Sequence, residues 1–156
     1  IKDSKELSAK MREELYKVVI DNSLAYSIIE VAVSEIDILG LHKCNIEGMR
    51  RAINALSIKP EYVLTDGYPI PGLTTPNLAV WKGDQVAISI SAASILAKVY
   101  RDNIMVALDK KYPNYGLASH KGYITASHTA AIKELGVLPI HRKSFANIAA
   151  IIEVSK

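Results

Sequence analysis

The sequence predicts an α/β fold in which short strands alternate with helices. Short apolar or β-branched runs, LAYSIIEVAV (24–33), EYVLTD (61–66) and NLAVWKG (77–83), recur between longer stretches whose apolar residues return every three or four positions. Segments rich in Pro and Gly separate them. Two of the runs end on Asp66-Gly67 and Gly83-Asp84, and in α/β sheets ligands collect at the carboxyl ends of strands. At 156 residues, 49% of them hydrophobic, the chain is read as one domain with a packed core and not as a disordered segment.

Taken in order, residues from about Ser8 read as a helix with Met11, Leu15, Val18 and Val19 on one face and charged residues on the other. Residues 24–33 read as a strand because β-branched residues fill it. Ser34 and Asp37 stand at capping-box spacing, so a helix is expected to begin there, and Gly40 interrupts it. Leu41–Ser57 reads as the next helix, with Leu41, Cys44, Gly48, Ala52 and Leu56 on its apolar face, and Pro60 ends that region. EYVLTD and NLAVWKG are strands joined by GYPIPGLTTP, whose glycines and prolines make a loop. Residues 87–111 carry the longest helical pattern, with Ile88, Ala92, Ile95, Val99, Ile104 and Leu108 on its inner side. YPNYGLASHKGYIT is irregular. SHTAAIKELG is a helix ending at Gly136, and RKSFANIAAIIEV is a last amphipathic helix.

Composition excludes some classes and leaves others open. The net charge of +3 permits a polyanionic partner without demanding one. Cys44 is alone, which rules out a disulfide framework or thiolate metal cluster and fits a reducing cytoplasm, the expected location. No apolar run is long enough to span a bilayer, so no membrane partner is expected. The chain opens on Ile1, not Met, and is read as beginning inside something longer.

An Asp-Gly pair after a strand is also ordinary turn chemistry. The pair of aspartates is more informative than either. Two such strands side by side would bring Asp66 and Asp84 to one divalent cation, and carboxylate oxygens suit Mg²⁺ or Mn²⁺, not zinc. Such sites commonly act on phosphate. A phosphodiester repels its nucleophile; two cations about 3.5–4 Å apart activate water on one side and stabilise the departing oxygen on the other. Two carboxylates are too few to hold both cations well.

KGDQVAISISAASILAKVYRDNIM (82–105) closely resembles the central motif of the ribonuclease HII family. IKDSKELS resembles that family's Asp-Ser-Lys loop, and YVLTDG, YPNYGLASHKGYITASH and PIHRKSF are similar to its remaining blocks, in the family's order. The resemblance covers essentially the whole chain. It implies a ribonuclease-H-like mixed sheet with surrounding helices and a helical C-terminal part. It implies endonucleolytic hydrolysis of RNA in RNA–DNA hybrids and of single ribonucleotides embedded in duplex DNA, cut on the 5′ side to leave 3′-hydroxyl and 5′-phosphate ends, with Mg²⁺ or Mn²⁺. It implies that Asp66 and Asp84 are two of four metal-binding carboxylates and that Tyr123 senses the ribonucleotide at the junction. Asp102 is no ligand in that pattern and is expected to be structural. A monomer is expected when complete.

One departure stands out. The family's first strand carries an Asp-Glu pair followed by a Gly-Arg-Gly loop, and neither occurs here. The chain is therefore read as lacking its amino-terminal hairpin and as inactive alone. A duplex-binding fragment without activity, a ribonuclease HIII-like nuclease and an unrelated α/β binding module remain alternatives. Among smaller signals, Lys5 is a candidate phosphate contact or a solvated lysine. Ser91 and Ser94 are candidate phosphate donors or small packing residues. His120, Lys121, His141, Arg142 and Lys143 are candidate backbone contacts or solvated loops. Trp81 is expected in the core, and His42 and His128 carry no assigned chemistry.

Overall fold

The computed structural model describes residues 7–154 and divides into two compact units. The first comprises the chain up to Glu30 and Asn45–Val99; the second comprises Val31–Cys44 and the chain from Tyr100 onward. The helices at Leu41–Asn54 and Ile88–Lys111 contribute residues to both.

In the first unit, helix α1 (Ala9–Asn22) starts at Ser8, whose hydroxyl accepts the Met11 amide at 3.2 Å and satisfies an otherwise orphaned donor. Val19 is its buried residue, while Met11 and Val18 are about half exposed, so the inward face is narrower than the apolar spacing suggested. Residues 24–32 form no strand, which corrects the expectation for 24–33. A strand exists only as a member of a hydrogen-bonded ladder, and no described segment pairs with this run. Leu24 is 89% exposed. The Ser27 hydroxyl instead donates to the Ala52 carbonyl.

Strands β1 (Val63–Asp66) and β2 (Asn77–Val80) form a two-stranded parallel sheet among the described residues, in register Val63↔Asn77 through Asp66↔Val80. Val63 and Thr65 point inward while Leu64 and Asp66 point out, the period-2 alternation of a half-buried strand. The connection at 67–76 contains no helix. It is tied at Ile70, 1% exposed, where the Asn77 side chain accepts the Ile70 amide at 3.0 Å and donates to its carbonyl at 3.4 Å. After β2 the chain turns into a one-turn helix, α4 (Gly83–Val86), and then α5 (Ile88–Lys111). Ile95, Leu96, Val99 and Met105 are buried on α5, but Ile88 is 73% exposed, so the inner line begins further along than expected.

In the second unit, α2 (Val33–Leu39) is capped at Ala32 with no side-chain bond. The capping-box expectation for Ser34 and Asp37 is therefore corrected. Ser34 lies inside the helix, and the Asp37 carboxylate accepts the Lys143 and Ser144 amides at 3.1 and 3.0 Å and the Ser144 hydroxyl at 2.7 Å. Those bonds, the Ser144 hydroxyl first, hold the Asp37 carboxyl below its usual pKa. Gly40, at φ 82°, ends α2, and α3 (Leu41–Asn54) stops short of Ser57. Cys44 is buried and free. The helices α6 (Leu117–His120), α7 (Ala126–Leu135) and α8 (Ala146–Val154) follow. Met105, Tyr115, Leu117, Ile132 and Ile148 form the core of this unit, with Leu138, Phe145 and Ile151 packed against it.

Candidate active site

The sheet is parallel, so the carboxyl ends of β1 and β2 lie at one edge. Asp66 is the last residue of β1, opposite Val80. Asp84 is not on the strand end itself. It sits in the first turn of α4, after a turn in which Lys82 adopts the left-handed conformation at φ 51°. The Gly83 amide donates to Asp66 Oδ1 at 2.8 Å, tying the start of α4 to the end of β1. A carboxylate accepting the first amide of a helix is favoured by both the bond and the dipole. Asp84 is 8% exposed and Asp66 open to solvent.

Gly83 sits close to its neighbours: a Cβ there would meet the end of the Ile90 side chain, which would have to shift, and would stand 3.4 Å from Val80 Cβ. A left-handed lysine is also uncommon, and such backbone is held only where its surroundings impose it. Oxygen donors on adjacent segments suit a hard divalent cation. Among the described residues, no group of three or more His, Cys, Asp or Glu side chains is placed to hold a metal. The carboxylates that these two segments carry are those of Asp66 and Asp84.

The other expected residues are placed as follows. Lys5 lies outside the described residues. Ser91 is 2% exposed, in keeping with its packing alternative. Asp102 lies on α5 and is partly buried. Trp81 is 80% exposed just after β2, which corrects the core expectation: it falls in the turn beyond the last ladder residue, where the pleat no longer directs it inward.

Tyr123 is 59% exposed in the segment between α6 and α7, so it is not a core tyrosine. Lys121 precedes it in the left-handed conformation at φ 52° and its carbonyl accepts Arg101 Nη2 at 3.3 Å. Arg142 is partly buried and stacks 5.0 Å from the Phe145 ring centre. Burial, and then Arg101, lower its pKa from the usual guanidinium value, against the pull of Asp37.

Three histidines left without a joint role by sequence reasoning meet in this unit. The His120 and His128 rings stack at 4.1 Å, and the His128 and His141 rings stand 5.4 Å apart. His128 and His141 are buried at 5% and 6% exposure. Burial, then His128 and His120, lower the His141 pKa from 6.5 to about 4. Burial lowers that of His128 as well, with the Tyr123 carbonyl opposing. No spacing in the sequence announces this cluster, because its members come from α6, α7 and the segment before α8.

The family model described as Ribonuclease HII matches residues 1–148. A ribonuclease HII of Salinispora arenicola is 53% identical over 149 residues, covering 96% of this chain and 55% of the relative. One of Mycobacterium ulcerans is 50% identical over 149 residues, covering 96% and 62%. The chain thus spans little more than half the length of these relatives. The crystal structure of ribonuclease H2 from Pyrococcus horikoshii is similar with a TM-score of 0.85 at 27% identity, covering 97% of this chain and 80% of that one.

Proposed function

The chain belongs to the ribonuclease HII family, and from that premise we propose that it serves as an endonuclease hydrolysing RNA in RNA–DNA hybrids and at single ribonucleotides embedded in duplex DNA, on the 5′ side of the ribonucleotide. The observation that carries this reading is the Gly83 amide bond to Asp66 Oδ1, which ties the Asp84-bearing turn to the end of β1. Asp66 and Asp84 would hold a divalent cation, Mg²⁺ or Mn²⁺, as two of its ligands. A bound cation pair supplies Lewis-acid activation of water and neutralises charge at the departing 3′-oxygen.

The chain's own residues supply position. The Gly83 amide occupies part of one Asp66 oxygen and fixes the carboxylate's orientation, leaving its remaining lone pairs for the cation. The enclosure of Asp84 removes rotamer freedom that binding would otherwise have to freeze. Tyr123 offers a phenol for a 2′-hydroxyl, the group that distinguishes RNA from DNA at a given site, and a ring for the next sugar. Lys121, Arg142 and Lys143 supply positive charge for the duplex backbone.

The test is cleavage of a DNA duplex carrying one ribonucleotide by the full-length protein, with the ends identified. The reading expects 3′-hydroxyl and 5′-phosphate ends, no cutting of the all-DNA duplex, and loss of turnover by orders of magnitude in Asp84→Asn with duplex binding retained. Binding without cutting by the unaltered protein would leave only a duplex-binding role.

A further inference from the structure

We infer that His120, His128 and His141 are positioning residues that hold the backbone of Tyr123 through a relay of neutral imidazoles, each fixed in one tautomer. The inference rests on the reading of Tyr123 as a substrate contact and adds the residues that set its position.

The hydrogen bonds assign every ring proton. A carbonyl only accepts, so His128 Nδ1, 3.0 Å from the Tyr123 carbonyl, carries a proton and leaves Nε2 as an acceptor. A backbone amide only donates, so His141 Nδ1, which receives the Leu138 amide at 2.8 Å, carries none. His141 is therefore protonated at Nε2 and donates to His128 Nε2 at 3.3 Å. His120 Nε2 lies 2.8 Å from the Tyr115 carbonyl and must donate, while its Nδ1 accepts the Gly122 amide at 3.2 Å. All six ring nitrogens are engaged. A proton added to any ring would set one N–H against another.

The relay ends on the backbone of residues 122–123. The Tyr123 carbonyl is held by His128 and the Gly122 amide by the His120 ring; the Tyr123 amide donates to the His120 carbonyl at 2.9 Å. Gly122, at φ 77°, lies close to the ends of the Met105 and Arg101 side chains, and Arg101 ties the segment to α5 by donating to the Lys121 carbonyl at 3.3 Å. The side chain of Tyr123 projects from this fixed backbone with more than half its surface exposed. The titratable groups against the rings are the neighbouring rings themselves and Tyr115, whose ring centre lies 5.9 Å from that of His141. Burial, and then a charge on a neighbouring ring, add to the cost of a charged imidazole at His141. A neutral relay is a firm mount, and reactive geometry is sensitive to displacements of about 1 Å, which can cost up to 10²-fold in rate.

The test joins a spectroscopic and a kinetic readout on the full-length protein. Long-range ¹⁵N–¹H spectra at pH 7 should show His128 protonated at Nδ1 and both His120 and His141 protonated at Nε2. Any other tautomer at His128 or His141 overturns the relay. His128→Leu, which fills the space without a donor, should shift the Tyr123 amide resonance and lower cleavage at a single ribonucleotide about tenfold. His128→Asn, which keeps a donor near the Nδ1 position, should recover most of both although it packs less well. A purely structural histidine predicts the reverse order, and that result would overturn the inference. Tyr123→Ala separates the two claims. Unchanged junction cleavage in that variant removes Tyr123 as a substrate contact, whereas an unmoved Tyr123 amide in His128→Leu removes the relay.

Discussion

At the scale of single residues, Asp66 accepts the first amide of α4, and the proposed function gives it a second, separable job, binding a cation. An asparagine keeps an oxygen that can accept the Gly83 amide but loses the charge. Asp66→Asn should thus melt within about 1 kcal/mol of the parent protein while turnover on an RNA-containing duplex falls by orders of magnitude. Asp66→Ala should lose both. Parallel thermal melts and cleavage assays check this; near-normal turnover in the asparagine variant contradicts it. The buried histidines give a pH dependence of known sign. His141 titrates near 6.5 when unfolded and at about 4 when folded, so between those values the unfolded state binds a proton that the folded state refuses, and stability rises with pH. The contribution is complete above 6.5 and lost as pH falls toward 4; His128 shifts in the same direction. Urea midpoints should therefore drop between pH 7 and pH 5, and a flat profile argues against a neutral cluster. Asp66, Asp84 and Tyr123 were legible as candidates because motif and strand-end chemistry are local. The histidine cluster was not, since its bonds depend on tertiary contact between segments.

At the scale of elements, patterns closed within a few residues were the readable ones. Ser8 begins α1, Gly136 ends α7, and β1, β2 and α5 fall where apolar period and turn residues placed them. Residues 24–33 were misread because strand identity depends on a partner that a sequence run does not contain. The Ser34–Asp37 pair was misread because Asp37 is committed to Lys143 and Ser144, far away in the chain. Thr125 offers a test at this scale. Its hydroxyl accepts the His128 amide at 3.1 Å and starts α7 directly after the Tyr123 segment. Thr125→Ala should cost about 1 kcal/mol, with a range of 0.5–2, measured by chemical denaturation. An unchanged midpoint would mean the cap contributes nothing to this helix.

At the scale of the whole molecule, burial is uneven. Leu24, Ile38, Trp81 and Ile88 are 73–89% exposed, and the sheet has two strands among the described residues. Such apolar surface and open strand edges favour association. The 156-residue chain expressed alone should therefore associate or unfold without a sharp transition, by light scattering and calorimetry; a stable, cooperatively melting monomer would contradict that. No helix among the described residues is long and apolar enough to cross a membrane. The central claim is that Asp66 and Asp84 hold one divalent cation. Its most direct measurement is paramagnetic broadening of backbone amides during Mn²⁺ titration of the full-length protein, compared with Asp66→Asn and Asp84→Asn. The account predicts that the amides of Gly67, Gly83 and Asp84 broaden at the lowest Mn²⁺ and that either substitution weakens the effect. Broadening centred elsewhere, or unchanged in both variants, would contradict it.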